Sequence, residues 1–578
     1  MRGARTSAQT IWLSRDTDRV RAAREQLAAG RCLARLWDQD PALWADEPGA
    51  QQAIRSRLGW LTIPRVMASQ APALAALGPE LRRAGLSRLV LLGMGGSALF
   101  PDVCSALFGV SPGHPQLLVF DTVDPAAIRA HQQAEALRHT GAIVASKSGS
   151  TVEVACLAAS WRDALSAVTD RPGDRMIVIT DAGTPLEAQA RAWQCRRLFT
   201  HGPGRGAEVG GRYGALTAFG LVPASVIGVD AGELIRRAEA MLARCAPQVP
   251  LEENPAAGLA AALAALAQAG QDKLTLACAP PLAAFGAWLE QLIAESLGKR
   301  GRGIVPVDGE PVREPQAYGP DRLFVELQLS SQWDAALDRR IRALSSKGVP
   351  VIRIHWEDRY DVGGEVIKWA MATALAGHLL GIDPFDEPNV QDSKDRTNAL
   401  LDAFARDGAL RDPDAPCCAE GDLSVSGSVP AGNTGSLGSC LRAFFRQGRL
   451  GDYVAVLSFL PRTPSMDRGL AALRERLAGR LTQPVLLSIG PRYLHSIGQL
   501  YKGGPETGLF VLLTADEHED LAIPGQPFTF GTLKRAQALG DFQAMRQANR
   551  RIVRVHLRGD LDAALQRLAA TFEEAAGA

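Results

Sequence analysis

Between about residue 88 and residue 230 the chain alternates short runs of β-branched residues and leucine with longer stretches of helical period. RLVLLGM, QLLVFDT, GAIVASK and RMIVITD are continuously apolar, which predicts strands buried on both faces, with helices in the segments between them. Strand and helix in alternation imply a parallel sheet covered on both faces and joined by right-handed crossovers. The pattern starts again near residue 255. It runs through an alanine-rich helix, the strand DKLTLACA, the helix LAAFGAWLEQLIAESLGK, the strand RLFVELQL, a charged helix and the strand VPVIRIHW, and closes on the apolar helix GGEVIKWAMATALAGHLLG. A fainter third pass follows in DYVAVLSFL, QPVLLSIGP, GLFVLLT and RRIVRVHL, where FTFGTLKRAQALGDF is expected to stand in the place of GGEVIKWAMATALAGHLLG. That echo predicts a duplicated half-domain. Before it, RDPDAPCCAEGDLSVSGSVPAGNTGSLGS is rich in Gly, Ser and Pro with little periodicity and reads as a linker or surface insertion. The expected organisation is a helical region over 1–80, α/β domains over 81–245 and 250–404, the linker over 405–440 and an α/β half-domain over 441–578.

Length and composition agree with several domains and narrow the partners. At 578 residues the chain exceeds what one core supports. Its formal net charge of +1 offers no case for nucleic acid or an acidic membrane surface. No run of eighteen apolar residues occurs, and MRGARTSAQTIWLSRDTDR lacks the unbroken apolar segment of a secretory signal, so the expected setting is the cytoplasm, with no membrane. Nine cysteines are scattered without a CxxC pair, so reduced thiols are expected and a structural zinc site is not.

Two strand-to-helix turns carry the first chemistry. Ligands of an open parallel sheet sit beyond the carboxyl ends of its strands. After GAIVA comes Ser146-Lys147-Ser148-Gly149-Ser150-Thr151, a row of hydroxyls and one ammonium at the start of a helix, where free N–H groups and the positive end of the dipole favour an anion. A hydroxyl N-cap with nothing bound is the plain alternative. A second turn of the same design, Gly93-Met94-Gly95-Gly96-Ser97, follows RLVLL; its glycines admit a ligand to the backbone, and Ser97 is expected to cap the next helix. The spacing is GxGGS, so the GxGxxG dinucleotide fingerprint fails. Together the two turns read as a sugar-phosphate pocket built from Gly96, Ser97, Ser146, Lys147, Ser148 and Thr151.

These turns resemble the sugar isomerase (SIS) domain, and four further segments resemble the glucose-6-phosphate isomerase family: GGRYGALTAFGL (210–221), WLEQLIAESLGK (288–299), LLGIDPFDEPNVQDSK (379–394) and LHSIGQ (494–499). The likeness spans roughly residues 90–500 and is nearest to the isomerase half of bacterial transaldolase/glucose-6-phosphate isomerase fusion proteins. No transaldolase barrel fits in the N-terminal region, so the isomerase half alone is expected. The resemblance implies an α/β fold of two SIS-type doubly wound parallel-sheet domains, each a flavodoxin-like three-layer sandwich, with a rearranged C-terminal α/β segment. It implies interconversion of glucose 6-phosphate and fructose 6-phosphate without metal or organic cofactor, in a homodimer whose partner completes each site with a histidine.

That chemistry moves a proton between C1 and C2 through an enediolate, so it needs a base, a cation for the oxyanion and groups that open the ring. By resemblance Glu295 is the base, on a helix with Gln291 one turn earlier on its own face and Phe285, Trp288, Leu292 and Ile293 opposite, where partial burial would raise its proton affinity. Arg212 steadies the enediolate, its small neighbours letting it reach into a pocket, and Lys394 helps open the ring. Read from context alone, the three are a solvated glutamate, a surface arginine and a solvated lysine.

The family's histidine falls between its glutamate and its lysine. His355 and His378 lie there in this chain, yet both read as core or strand-end residues. The histidine context matches LHSIGQ, which places the ring-opening role at His495, in cis or in trans, as if part of the second domain had moved to the C-terminus. Glu387 stands where the family has glutamine beside the sugar, and a carboxylate accepts hydrogen bonds without donating. Two other readings stay open: a dual phosphoglucose/phosphomannose isomerase, whose members carry an aromatic at the place of Lys147, and a SIS-type sugar-phosphate sensor that binds without converting.

Overall fold

The computed structural model of the protein describes residues 7–13, 16–201, 208–410, 412, 415–430 and 435–577. The chain divides into two compact units, one of Met1–Asp121, Ala134–Glu314 and Arg322–Asp386, the other of Thr122–Gln133, Pro315–Asp321 and Glu387–Ala578.

The first unit holds two sheets. One has five parallel strands in the order Gln116–Phe120, Arg88–Gly93, Thr140–Ala145, Met176–Asp181 and Arg197–His201. Numbered along the chain this is 2-1-3-4-5, the flavodoxin-like order, and its topological switch lies between Arg88–Gly93 and Thr140–Ala145. The two turns singled out in the sequence leave those two strands. Of the central strands, Thr140–Ala145 is buried along its whole length and the other two everywhere but at Arg88 and Asp181, as continuous apolar runs demand. The other sheet runs Ala8–Trp12, Val351–Trp356, Arg322–Leu329, Lys273–Cys278 and Val305–Asp308, with Ala8–Trp12 the antiparallel edge. The N-terminal region thus supplies a strand to this sheet as well as helices. The helix Asp361–Leu380 is buried on all sides, among Ala231–Arg244, Pro255–Gln268 and Ala283–Leu297, which is why its sequence is mostly apolar, with Asp361, Glu365 and Lys368 as buried exceptions.

The second unit has one sheet, ordered Cys418–Glu420, Leu423–Gly427, Arg551–Leu557, Gly508–Ala515, Tyr453–Ser458 and Val485–Ile489. Its last four strands are mutually parallel and the first two form an antiparallel edge. Leu423–Gly427 lies inside the stretch that reads as a linker, where alternating Leu, Val and Ser make a half-polar strand that Gly and Ser neighbours disguise.

The predicted duplication is visible in strand order. Counted along the chain, the four parallel strands of the second sheet lie 4-3-1-2, and those of the third lie 4-3-1-2, each with an antiparallel strand outside the fourth. The helix correspondence differs from expectation. Phe530–Gln547 precedes the fourth strand of its sheet, as Ala335–Ser346 does, and the counterpart of Asp361–Leu380 is Leu561–Ala576. Helix Val390–Asp407 belongs to the second unit, where it packs on Phe530–Gln547.

Candidate active site

At the switch point of the first sheet the strand Arg88–Gly93 enters a 3-10 turn, Gly95–Ser97, and then the helix Leu99–Phe108. Gly96 must be glycine, since a Cβ there would lie 2.1 Å from the carbonyl oxygen of Gly211. This close approach presses the turn against the 210–212 backbone. Ser97 closes the 3-10 turn and Ala98 takes the cap position, so the expected serine cap is absent. Ser97 instead lines a small cavity with Gly96, Lys147, Asp181, His201 and Gly211.

The second turn contributes Ser146, buried, and Ser148, exposed. The hydroxyls of Ser146 and Thr151 lie 3.1 Å apart, and Ser150 Oγ donates to Ser148 Oγ at 3.0 Å. Thr151 is the N-cap residue of helix Val152–Ser166, yet its hydroxyl faces Ser146, and among the described residues no side chain caps that helix. A helix start without a side-chain cap is what an anion site requires. Lys147 is held by Asp181, its ammonium 2.6 Å from the carboxylate at the end of Met176–Asp181. A phosphate entering the turn would share that lysine with Asp181. His201 accepts the Ala218 N–H at Nε2, 3.0 Å away, and burial lowers its pKa, so it stands neutral beside the cavity.

Behind the turn lies a buried charge cluster. Arg212 is 3% exposed. Its Nε donates to Ser296 Oγ at 2.9 Å, its Nη2 donates to the carbonyls of Pro384 and Asp386 at 2.9 Å each, and its Nη1 lies 3.1 Å from Glu295 Oε1. The arginine is thus anchored from three sides and turns one face to the glutamate. Gln291 Nε2 donates to Glu295 Oε2 at 3.0 Å from the preceding turn of helix Ala283–Leu297. The Glu295 side chain keeps 13% of its exposure, so the carboxylate is held at both oxygens while remaining reachable.

Lys299, which has no role among the sequence expectations, belongs to this cluster. Its ammonium is buried and donates to the Asp383 carbonyl at 2.7 Å, to Asp386 Oδ1 at 2.6 Å and to the Asp386 carbonyl. Burial first, then the nearby charge of Arg212, pulls its pKa down to about 8. Lys299 and Arg212 hold the same loop, 383–386, so the arginine's anchor depends on the lysine. The signal lies inside ESLGK: a lysine just past the end of the helix that carries the glutamate, after the Gly298 cap.

The remaining predicted residues lie in the second unit. His495 ends the turn Arg492–His495, half-buried; Lys394 is exposed on helix Val390–Asp407; Glu387 lies just before that helix. The structure ties these segments together. The Asn389 N–H donates to Gln499 Oε1, and Gln499 Nε2 donates to Asn389 Oδ1, both at 2.9 Å. The turn carrying His495 follows Val485–Ile489, whose counterpart in the second sheet is Val305–Asp308. The loop after Val305–Asp308, GEPVRE, has no histidine. His495 thus stands after the second parallel strand of its sheet, at the place that GEPVRE takes in the other. His378 Nδ1 lies 2.8 Å from the Leu43 carbonyl, and His355 packs edge-on against Trp333.

Residues 82–312 match the phosphoglucose isomerase family. A probable glucose-6-phosphate isomerase of Haloarcula marismortui is 28% identical over 356 residues, covering 55% of this chain and 79% of the relative. The glucose-6-phosphate isomerase of Thermosynechococcus vestitus is 30% identical over 416 residues, covering 64% of this chain and 75% of the relative. Among solved structures, a glucose-6-phosphate isomerase from Chlamydia trachomatis superposes with a TM-score of 0.58 at 18% identity, covering 69% of this chain and 89% of that one. A hypothetical protein from Thermus thermophilus, TT0462, gives 0.57 at 24% identity, covering 68% of this chain and all of that one. These two likenesses speak for the fold.

Proposed function

The chain belongs to the glucose-6-phosphate isomerase family, and from that premise we propose how its own residues interconvert glucose 6-phosphate and fructose 6-phosphate. The observation that carries the reading is the pairing of Arg212 with Glu295 at 3.1 Å inside a largely buried cluster. Ion-paired, Glu295 is a carboxylate and can take a proton. It removes the proton from C2 of the open aldose, the C2–H electron pair becomes the enediolate double bond, and the carbonyl oxygen at C1 gains negative charge. Arg212, already fixed by Ser296 and two carbonyls, meets that charge without reorganising. Glu295 then returns the proton to C1, and the C2 hydroxyl gives its proton to the C1 oxyanion, so that C1 carries the hydroxyl and C2 the ketose carbonyl. Gln291, bonded to the second carboxylate oxygen, keeps Glu295 in one rotamer through both transfers.

Ser97, Ser146, Lys147, Ser148 and Thr151 hold the phosphate, with the open N-terminus of helix Val152–Ser166 beneath it. His495 and Lys394 open the ring, one delivering a proton to the ring oxygen as its bond to carbon breaks and the other accepting the proton of the anomeric hydroxyl. Glu387 offers acceptors to sugar hydroxyls in place of the amide. A homodimer in the cytoplasm is the setting this reading carries, resting on the family resemblance alone.

The test is a coupled assay that follows glucose 6-phosphate formed from fructose 6-phosphate, run on the wild type and on Glu295→Gln. Near-complete loss in the variant is expected; equal activity in the two would remove the mechanism.

A further inference from the structure

The segments that carry His495 and Lys394 rest on a buried carboxylate that the roles above leave unused. Asp541 lies within helix Phe530–Gln547 and is 1% exposed. Its Oδ1 accepts from Ser393 Oγ at 2.9 Å and from Lys502 Nζ at 2.7 Å, and its Oδ2 accepts from Tyr493 Oη at 2.7 Å. Ser393 is the chain neighbour of Lys394 on Val390–Asp407, and Tyr493 stands two residues before His495 in Arg492–His495. Lys502 comes from Gly498–Gly503, the helix that follows the histidine turn. One side chain thus fastens the lysine's helix to the histidine's turn.

The energetics single this arrangement out from ordinary packing. Four buried polar groups, two of them charged, converge where apolar side chains would have filled the space without any cost of desolvation. The pairing with Lys502 neutralises the carboxylate, and the two hydroxyls complete its hydrogen bonds. The Tyr493 phenol, pushed far up by burial and by the facing carboxylate, remains a donor at every pH of interest. The helices also meet without slack beside it. A Cβ on Gly540 would lie 2.9 Å from Thr397 Oγ1 and 3.1 Å from the Thr397 nitrogen, so Phe530–Gln547 is pressed against the Lys394 helix one residue from Asp541.

The geometry points to Asp541 as a positioning residue that sets the spacing of His495 and Lys394, through Tyr493 on one side and Ser393 on the other. Opening a sugar ring requires one proton to arrive at the ring oxygen and one to leave the anomeric hydroxyl of the same substrate, so two groups must stand at a fixed separation. Asp541 therefore serves ring opening and leaves the proton transfer at Glu295 untouched. The inference rests on the ring-opening roles proposed above for His495 and Lys394.

The test separates the two steps with two substrates. Fructose 6-phosphate must be opened, whereas 5-deoxyfructose 6-phosphate lacks the hydroxyl that closes the ring and reports enolisation alone, read as exchange of its C1 hydrogen in deuterated solvent. Tyr493→Phe and Ser393→Ala each remove one tie and keep the Asp541–Lys502 charge pair, so both are expected to fold. Each is expected to lose about tenfold in kcat/KM on fructose 6-phosphate while exchange on the open-chain analogue stays within about twofold of wild type. Asp541→Asn, if it folds, is expected to show the larger selective loss. Equal losses on both substrates, or no loss on either, would overturn the positioning role. His495→Gln is the control for the underlying reading. If it is fully active on fructose 6-phosphate, the ring-opening role fails and takes this inference with it; if it shows the selective loss and neither tie variant does, the inference alone fails.

Discussion

Arg212 Nη1 lies 3.1 Å from Glu295 Oε1, and the same arginine is bonded to Ser296 and to two carbonyls of the 383–386 loop. The partners differ in what they require of the glutamate. The arginine needs only an acceptor there, whereas the reaction needs a base. Glu295→Gln keeps the acceptor and removes the base, so the fold is expected to survive with kcat reduced by about 10²–10⁴ and KM changed little. Arg212→Ala is a different case, because it removes a buried guanidinium and leaves a partly buried carboxylate and its loop carbonyls without their donor; about 1–3 kcal/mol of stability is expected to go with the activity. Coupled-assay kinetics and thermal melting of the two variants check both halves. A Glu295→Gln enzyme with altered KM alone would mean that the glutamate binds and does not transfer protons.

Gly96 tests whether the two turns form one pocket. Its missing Cβ lets the Gly211 carbonyl approach to a distance no side chain permits, 2.1 Å from where a Cβ would stand. Alanine there must push 95–97 away from 210–212, and Arg212 follows Gly211 directly in the chain. Gly96→Ala is expected to raise KM and to lower kcat together, by about tenfold each, since sub-ångström displacement of positioned groups costs rate as well as binding. An effect on KM alone would show that the turn binds phosphate independently of the catalytic cluster.

Lys147 and Asp181 give a prediction of opposite signs. The pair is 2.6 Å apart with both side chains partly exposed, so its own contribution to stability is small, about 0–1 kcal/mol. Its effect on an anion is larger. Lys147→Ala is expected to raise KM for fructose 6-phosphate about tenfold, while Asp181→Asn frees the ammonium and is expected to lower KM, with both changes fading as salt is added. A rise in KM for Asp181→Asn would mean that the aspartate orients the lysine toward phosphate and does not compete for it.

How far the sequence reveals this molecule depends on whether a residue's role is local. The central strands are legible because they are buried on both faces and so continuously apolar. Ala8–Trp12 is hidden by its own burial, which alternates along AQTIW at a sheet edge. The phosphate turns are legible for a similar reason, since their donors are consecutive. Glu295 and Arg212 stand 83 positions apart in the numbering of one cluster, and only the family likeness brings them together before the structure does. Lys299 lay inside a recognised motif, yet a lysine after a helix looks solvated until the 383–386 loop is seen closing over it. Asp541 had no sequence signal, because its partners Ser393, Tyr493 and Lys502 come from three other segments.

Lys299 supplies the last prediction, a pH dependence. Its folded pKa of about 8 lies below the ordinary lysine value of 10.5, because burial disfavours the ammonium. The sign follows from which state holds the proton. Below about pH 8 both folded and unfolded chains carry it, and the folded state bears the full cost of burying the charge. Between about pH 8 and 10.5 the folded lysine has lost its proton and the unfolded one still holds it, so stability rises with pH across that window. Above 10.5 neither holds it and the contribution is constant. Lys299→Met has no such group. The melting temperature of the wild type, taken relative to that of Lys299→Met, is therefore expected to climb from about pH 8 to 10.5 and to be level on either side. A difference that is flat through the window would mean that Asp386 and the two carbonyls compensate the buried charge in full, and that the lysine clamps the Arg212 loop as an ammonium throughout.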